Sequence, residues 1–187
     1  MEVKHKRSNR GDEDMQLKGE KISLRPLMLT QVEIEYLQDW LEDEENIRYG
    51  GFAKTMPQTL EHVSSYLSKL NNNPNVRIFK IVNPLVYIGN IRIDIDWMWR
   101  VATVSLLIGK EHWGKGYGTE AIGLITDFAF NDLGMHRCEA GVLEGNFAST
   151  RSFIKNGYKS EGVRRDRRFN QGEYTNEIMY GKIKEDE

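Results

Sequence analysis

Residues 113–119 read Trp113-Gly114-Lys115-Gly116-Tyr117-Gly118-Thr119, with glycine at every second position just ahead of a segment of helical apolar periodicity. The first amides of a helix lack backbone partners and carry partial positive charge. Glycines ahead of them let the chain approach a ligand and turn its N–H groups inward. Together these features make a phosphate cradle. A second candidate is the pair Asp94 and Asp96 in "YIGNIRIDID" (87–96), where Ile91, Ile93 and Ile95 alternate with Arg92 and the two carboxylates. Carboxylates on one strand face suit proton transfer, or equally a solvated sheet face. His112, Glu139 and Glu144 are further candidates for proton work. No His/Cys cluster has metal-ligand spacing.

Three phosphate motifs compete for the glycines. As G-x-x-x-x-G-K-[ST], the stretch from Gly109 matches through Lys115, but Gly116 stands where a magnesium-binding hydroxyl belongs. As G-x-G-x-x-A, residues 116–121 match a dinucleotide fingerprint. That motif wants its first glycine directly after the strand, and about seven residues follow Ile108 before Gly116. The acidic residue that should close the next strand is absent, since Glu139 lies near the beginning of its strand.

The elements that must hold this loop are legible from periodicity. "KISLRPL" reads as a first strand, and Thr30 with Glu33 fits a capping box ahead of a helix striped by Val32, Tyr36, Leu37, Trp40 and Leu41. Gly50, Gly51 and Pro57 mark a loop. Thr59 caps a second helix carrying Leu60, Val63, Leu67 and Leu70. Strands at 76–82, 87–96 and 101–109 form an antiparallel meander. Ala121, Ile122, Ile125, Phe128, Ala129 and Leu133 place a long helix behind the loop, with Gly134 at its C-terminal cap. A strand at 136–143, a short helix from Asn146 to Asn156 closed by Gly157, and two last strands complete a mixed α/β sheet. Residues 1–14 are polar and read as a disordered arm, leaving 15–187 as one domain.

The third motif is the acyl-CoA loop of the GNAT N-acetyltransferases, Gln/Arg-x-x-G-x-G/A. The resemblance rests on 113–119, with Trp113 at the first position, and on "EGNFASTRSFIKNGYKSEG" (144–162), where Asn146, Ser149, Gly157, Tyr158 and Gly162 fall at matching places. "MQLKGEKISLRPL" resembles the opening of the branch that acetylates ribosomal-protein N-termini. The match spans roughly 15–184. It implies an α/β, mostly antiparallel seven-stranded sheet with flanking helices, its fourth and fifth strands splayed around acyl-CoA. It further implies acetyl-CoA as donor, with the diphosphate on the backbone of 113–119 and the pantetheine arm along Leu106, Leu107 and Ile108. An N–H at Leu107 or Ile108 would face the carbonyl oxygen. Asn146, Ser149 and Phe153 would also meet the cofactor. Many members carry a tyrosine where Phe153 stands, so Ser149 is the candidate donor to the leaving thiolate. The branch has a glutamate near the place of Arg168, which leaves the base open, with Asp94 a candidate.

Composition sets the remaining bounds. The chain has 187 residues, 29% charged and 39% hydrophobic, with net charge −2 and a single cysteine. That fits a cytoplasmic globular enzyme with neither a nucleic-acid nor a membrane partner. The resemblance further implies a primary-amine acceptor, either of a small molecule such as a polyamine or amino sugar, or of a protein N-terminus. The alternative is a non-catalytic acyl-CoA-binding module. "DWMWR" (96–100) could cover the core, form a homodimer contact or line the acceptor pocket. "RRDRR" (164–168) could be a solvated edge or read an anionic acceptor.

Overall fold

The computed structural model describes residues 15–49, 59–170 and 172–186; the expected arm at 1–14 and the loop around Gly50 and Pro57 lie outside them. In chain order the elements are β1 (Leu17–Lys18), β2 (Ser23–Pro26), α1 (Gln31–Glu42), α2 (Leu60–Asn71), β3 (Val76–Asn83), β4 (Val86–Asp96) and β5 (Val101–Ile108). There follow α3 (Tyr117–Asn131), β6 (Arg137–Leu143), α4 (Phe147–Lys155), β7 (Lys159–Asn170) and β8 (Glu173–Ile183). The strands form one sheet in the order β1-β2-β3-β4-β5-β6-β8-β7. All neighbours are antiparallel except β5 and β6.

The sheet has eight strands rather than seven. The addition is the two-residue β1, which turns back onto β2 through the bond from Gly19 N to Ile22 O of 2.9 Å. A strand that short carries no periodicity to read.

Successive residues of a strand point to opposite faces, and each face of this sheet has its own core. Phe79 and Leu106 join the core under α3, while their neighbours Ile78 and Leu107 join the core under α1 and α2. In α3, Ala121, Ile122, Ile125 and Ala129 are all at 0 % exposure. Each buried isoleucine contributes about 2 kcal/mol, enough to fix where this helix begins.

The capping box at Thr30 forms, and Thr59 caps α2 through His62 N at 3.2 Å. The buried stripe of α1 is Glu33, Ile34, Leu37, Trp40 and Leu41, whereas Val32 and Tyr36 are exposed. Glu33 is tolerated inside because Lys80 Nζ of β3 meets it at 2.5 Å. In α2, Val63 and Leu67 are buried but Leu60 is exposed.

The β4–β5 turn is an Asx turn in which Asp96 Oδ1 accepts from Met98 N and Trp99 N, both at 3.0 Å. Trp97, Met98 and Trp99 are exposed there, Trp97 at 45% the least so, and none of them lines the cavity described below.

Candidate active site

β5 leads to the glycine loop through a short 3₁₀ turn, Lys110–His112. Gly114 and Gly116 take φ of +75° and +84°, values that disfavour any residue with a Cβ. Gly116 caps α3 in this left-handed conformation. A Cβ on Gly118 would stand 3.2 Å from Leu106 Cδ2 and 3.4 Å from Ile108 Cδ1, so this glycine lets the helix start close to β5. The Trp113 amide closes the 3₁₀ turn, donating to Lys110 O at 3.1 Å. Among the described residues, the amides of Gly114 through Thr119 make no protein hydrogen bond. Unpartnered donors on a turning backbone at a helix N-terminus fit a diphosphate.

Side chains brace the loop. Trp113 Nε1 donates to Ile108 O at 2.7 Å, and Lys115 Nζ donates to Glu111 O at 3.0 Å. Glu120 Oε1, in the first turn of α3, accepts from Lys21 N at 2.9 Å and Ile22 N at 3.3 Å. This brings Lys21 Nζ to 3.4 Å from Lys115 O, a cation beside the cradle that no local sequence signal marks. Asn156 Nδ2 donates to Thr119 O at 2.9 Å and Thr119 Oγ1 to Ser152 Oγ at 3.0 Å, tying the loop to α4.

β5 and β6 pair only through Val101–Thr103 with Arg137–Glu139 and then separate. A cavity of about 380 Å³ fills the opening. Its walls include Leu106 and Leu107 from β5 and Gly141, Val142 and Leu143 from β6. Leu37, Leu41 and Leu67 line it on the α1/α2 face, and Asn146, Ser149 and Phe153 on the α4 face, so it passes through the sheet. This is the expected splay.

Parity assigns the backbone groups. Gly109 N donates to Ile88 O across to β4, and antiparallel pairing alternates along a strand. The Leu107 amide therefore belongs to the ladder with Asn90, while the main-chain groups of Leu106 and Ile108 face the opening. The indole of Trp113 reaching Ile108 O agrees with this. Of the two amides expected to face a carbonyl oxygen, Leu107 is excluded; its side chain lines the cavity instead.

Asn146 caps α4, its Oδ1 accepting from Ser149 N at 3.1 Å. That bond fixes Ser149, whose hydroxyl has no protein partner among the described residues. Phe153 closes one side, edge-on to Tyr158 at 5.0 Å and stacked on Tyr180 at 6.4 Å. Behind this wall Cys138 is buried, and desolvation pushes its thiol up to about 12. Burial raises Tyr158 likewise, so both stay protonated.

The cavity brings together Leu106, Leu107, Asn146, Ser149 and Phe153. Residues 113–119 adjoin it at the end of β5 without lining it. Asp94 also lies outside; its Oδ2 accepts from Arg92 Nε at 2.9 Å, and the same guanidinium, which does line the cavity, donates through Nη1 to Tyr66 OH at 2.9 Å. His112 pairs with Glu111 at 3.3 Å and Glu139 with Arg137 at 3.2 Å.

The wall also holds Glu177, a residue the sequence did not single out. Its side chain is 6% exposed, and Arg168 Nε meets Oε1 at 3.1 Å while Arg164 Nη1 meets Oε2 at 3.4 Å. The basic cluster 164–168 is thus part of β7, and three of its arginines, Arg164, Arg167 and Arg168, reach one carboxylate while staying largely exposed.

Comparison with known proteins agrees with this geometry. Residues 21–159 match the acetyltransferase (GNAT) domain. The probable N-acetyltransferase YjcK of Bacillus subtilis is 32% identical over 159 residues, covering 80% of this chain and 86% of that protein. The spermidine N-acetyltransferase of Vibrio cholerae, solved with CoA and spermine, superposes with a TM-score of 0.80 at 18% identity, over 89% of this chain and 97% of that one. Mycobacterium smegmatis RimJ, solved with CoA-disulfide, gives 0.77 at 19% identity, over 88% and 82%.

Proposed function

The chain belongs to the GNAT acetyltransferase family and is an acetyl-CoA-dependent N-acetyltransferase; on that premise we propose that its acceptor is the primary amine of a small molecule. The observation that carries this reading is the cavity. At about 380 Å³ it has small-ligand scale, and much of its α1/α2 side is aliphatic.

The family's donor supplies an acetyl thioester. In our reading the amides of Gly114 through Thr119 hold its diphosphate, with Lys21 beside them and Trp113 bracing the loop. The main-chain groups of Leu106 and Ile108 pair with the arm, and their N–H groups are the donors available to a developing oxyanion. Ser149, held by Asn146, gives a proton to the departing sulfur. Phe153 supplies an apolar wall. Asp94 acts through Arg92, as a positioning residue.

The amine must arrive neutral. An alkylamine of pKa near 10 is about 0.1% neutral at pH 7, which costs about 4 kcal/mol. Both oxygens of Glu177, the one carboxylate on the wall among the described residues, are in guanidinium contacts. We therefore assign deprotonation to water rather than to a carboxylate.

The test is free-thiol release from acetyl-CoA with a panel of small amines and of peptides with free N-termini. Turnover with small amines alone supports this reading. Turnover confined to peptides contradicts the acceptor class. CoA binding without turnover of any amine favours a non-catalytic binding module.

A further inference from the structure

Resting on the reading that this cavity acetylates an amine, we propose that the acceptor also carries an oxyanion, a carboxylate or a phosphate, bound by Arg168 with Glu177 holding its guanidinium in place.

A bulge shapes this part of the wall. Arg164 pairs with Glu177 and Arg168 with Thr175, so β7 spends four positions where β8 spends two. Bulges re-aim side chains, and this one turns Arg164, Arg167 and Arg168 onto Glu177 at 3.4, 4.0 and 3.1 Å. Asp166 takes φ of +47° at its apex. Its amide donates to Asn176 Oδ1 at 3.0 Å, and Asn176 Nδ2 donates to Glu144 Oε2 at 2.9 Å. The bulge is therefore anchored to the residue that follows β6, beside the opening.

The wall has a surplus of positive charge. Among the described residues its charged side chains are Arg92, Arg168 and Glu177. Asp94 compensates Arg92, while three guanidiniums surround the Glu177 carboxylate. The Glu177 side chain is 6% exposed and that of Arg168 41%, so the carboxylate is enclosed while its guanidinium reaches solvent. Arg168 meets Glu177 through Nε and Nη2 and leaves Nη1 outside the pair. A planar guanidinium held along one edge is pre-organised for an oxyanion. A polycation would meet like charge from the same groups.

The test compares acceptors of matched length at saturating acetyl-CoA: 4-aminobutyrate, 6-aminohexanoate and O-phosphoethanolamine against butylamine and 1,4-diaminobutane. Wild-type protein should favour an acid-bearing amine over butylamine by about 10- to 100-fold in kcat/KM. The carboxylate and phosphate arms identify which oxyanion is preferred. Arg168→Gln should bring that ratio to about one through KM, Arg168→Lys should restore part of it, and Glu177→Gln should lower it. Equal or better use of butylamine or the diamine by wild type overturns the inference alone, as does an unchanged ratio in a folded Arg168→Gln. Should Arg168→Gln fail to fold, the wild-type ratio decides. Thiol release from none of these amines overturns the acetyl-transfer reading and this inference together.

Discussion

Trp113 Nε1 donates to the carbonyl oxygen of Ile108 at 2.7 Å, so the residue that opens the glycine loop is tied to the last residue of β5. The acyl-CoA loop motif that this stretch resembles has glutamine or arginine at that place. Here an indole sets the distance between the phosphate cradle and the strand edge that faces the opening. Trp113→Phe keeps an aromatic ring and removes the donor. It should weaken CoA binding about 5-fold, equivalent to about 1 kcal/mol for one hydrogen bond, as read by calorimetric titration. Unchanged affinity would show that the tie has no part in shaping the loop.

Ser149 is held at its amide, and its hydroxyl has no protein partner among the described residues. Ser149→Ala should lower kcat by about 100-fold, the usual scale for a positioned acid, with CoA affinity nearly kept. Asn146→Ala should lower both, since Asn146 caps α4 and orients Ser149. Wild-type turnover in Ser149→Ala would remove Ser149 from the chemistry.

With both Glu177 oxygens in guanidinium contacts, kcat/KM should rise tenfold per pH unit up to the pKa of the amine itself, as it does when only the free base reacts. A pH–rate profile with two amines of different pKa reads this directly. A plateau common to both amines whatever their own pKa, and abolished by Glu177→Gln, would contradict this.

Cys138 should be silent in a thiol assay. Its pKa lies near 12 in the fold against an ordinary 9.0, because burial disfavours the thiolate. Native protein should therefore leave a disulfide reagent unreacted at pH 8 and react with one equivalent in urea, since the chain has one cysteine. Between about 9 and about 12 the unfolded chain loses this proton while the folded chain keeps it, so stability should fall as pH rises through that window. Tyr158 acts in the same direction. Cys138→Ala should flatten the decline without abolishing it.

What the sequence made legible was local. The glycine loop, the capping box at Thr30, the α3 stripe and the Asn146–Ser149 turn each depend on spacings of a few residues, and each lies where its motif or periodicity places it. Features carried by distant partners were hidden. Val32 and Tyr36 are apolar yet exposed, while Glu33 is charged yet buried, because Lys80 reaches it from β3, 47 positions away. Lys21 is brought to the loop by Glu120, 99 positions on, and then meets Lys115 O, 94 positions on. Glu177 stands opposite Leu143 of β6, and a bulge in the neighbouring strand brings Arg168, out of a basic run that otherwise stays exposed, onto the cavity wall beside it.

The proposed enzyme depends above all on the backbone amides of residues 114–119 gripping a diphosphate. Calorimetric titration of wild type and Gly116→Glu, with CoA and with pantetheine, which lacks the diphosphate, probes that grip. Gly116 has open space around it: a Cβ there would stand 3.6 Å from Lys21 Nζ, and φ is +84°. The substitution puts a carboxylate into the cradle and costs about 1–2 kcal/mol of backbone strain. Wild type should bind CoA far more tightly than pantetheine, and Gly116→Glu, still folded, should lose that difference. Equal affinity of the two proteins for CoA, or of wild type for CoA and pantetheine, would contradict it.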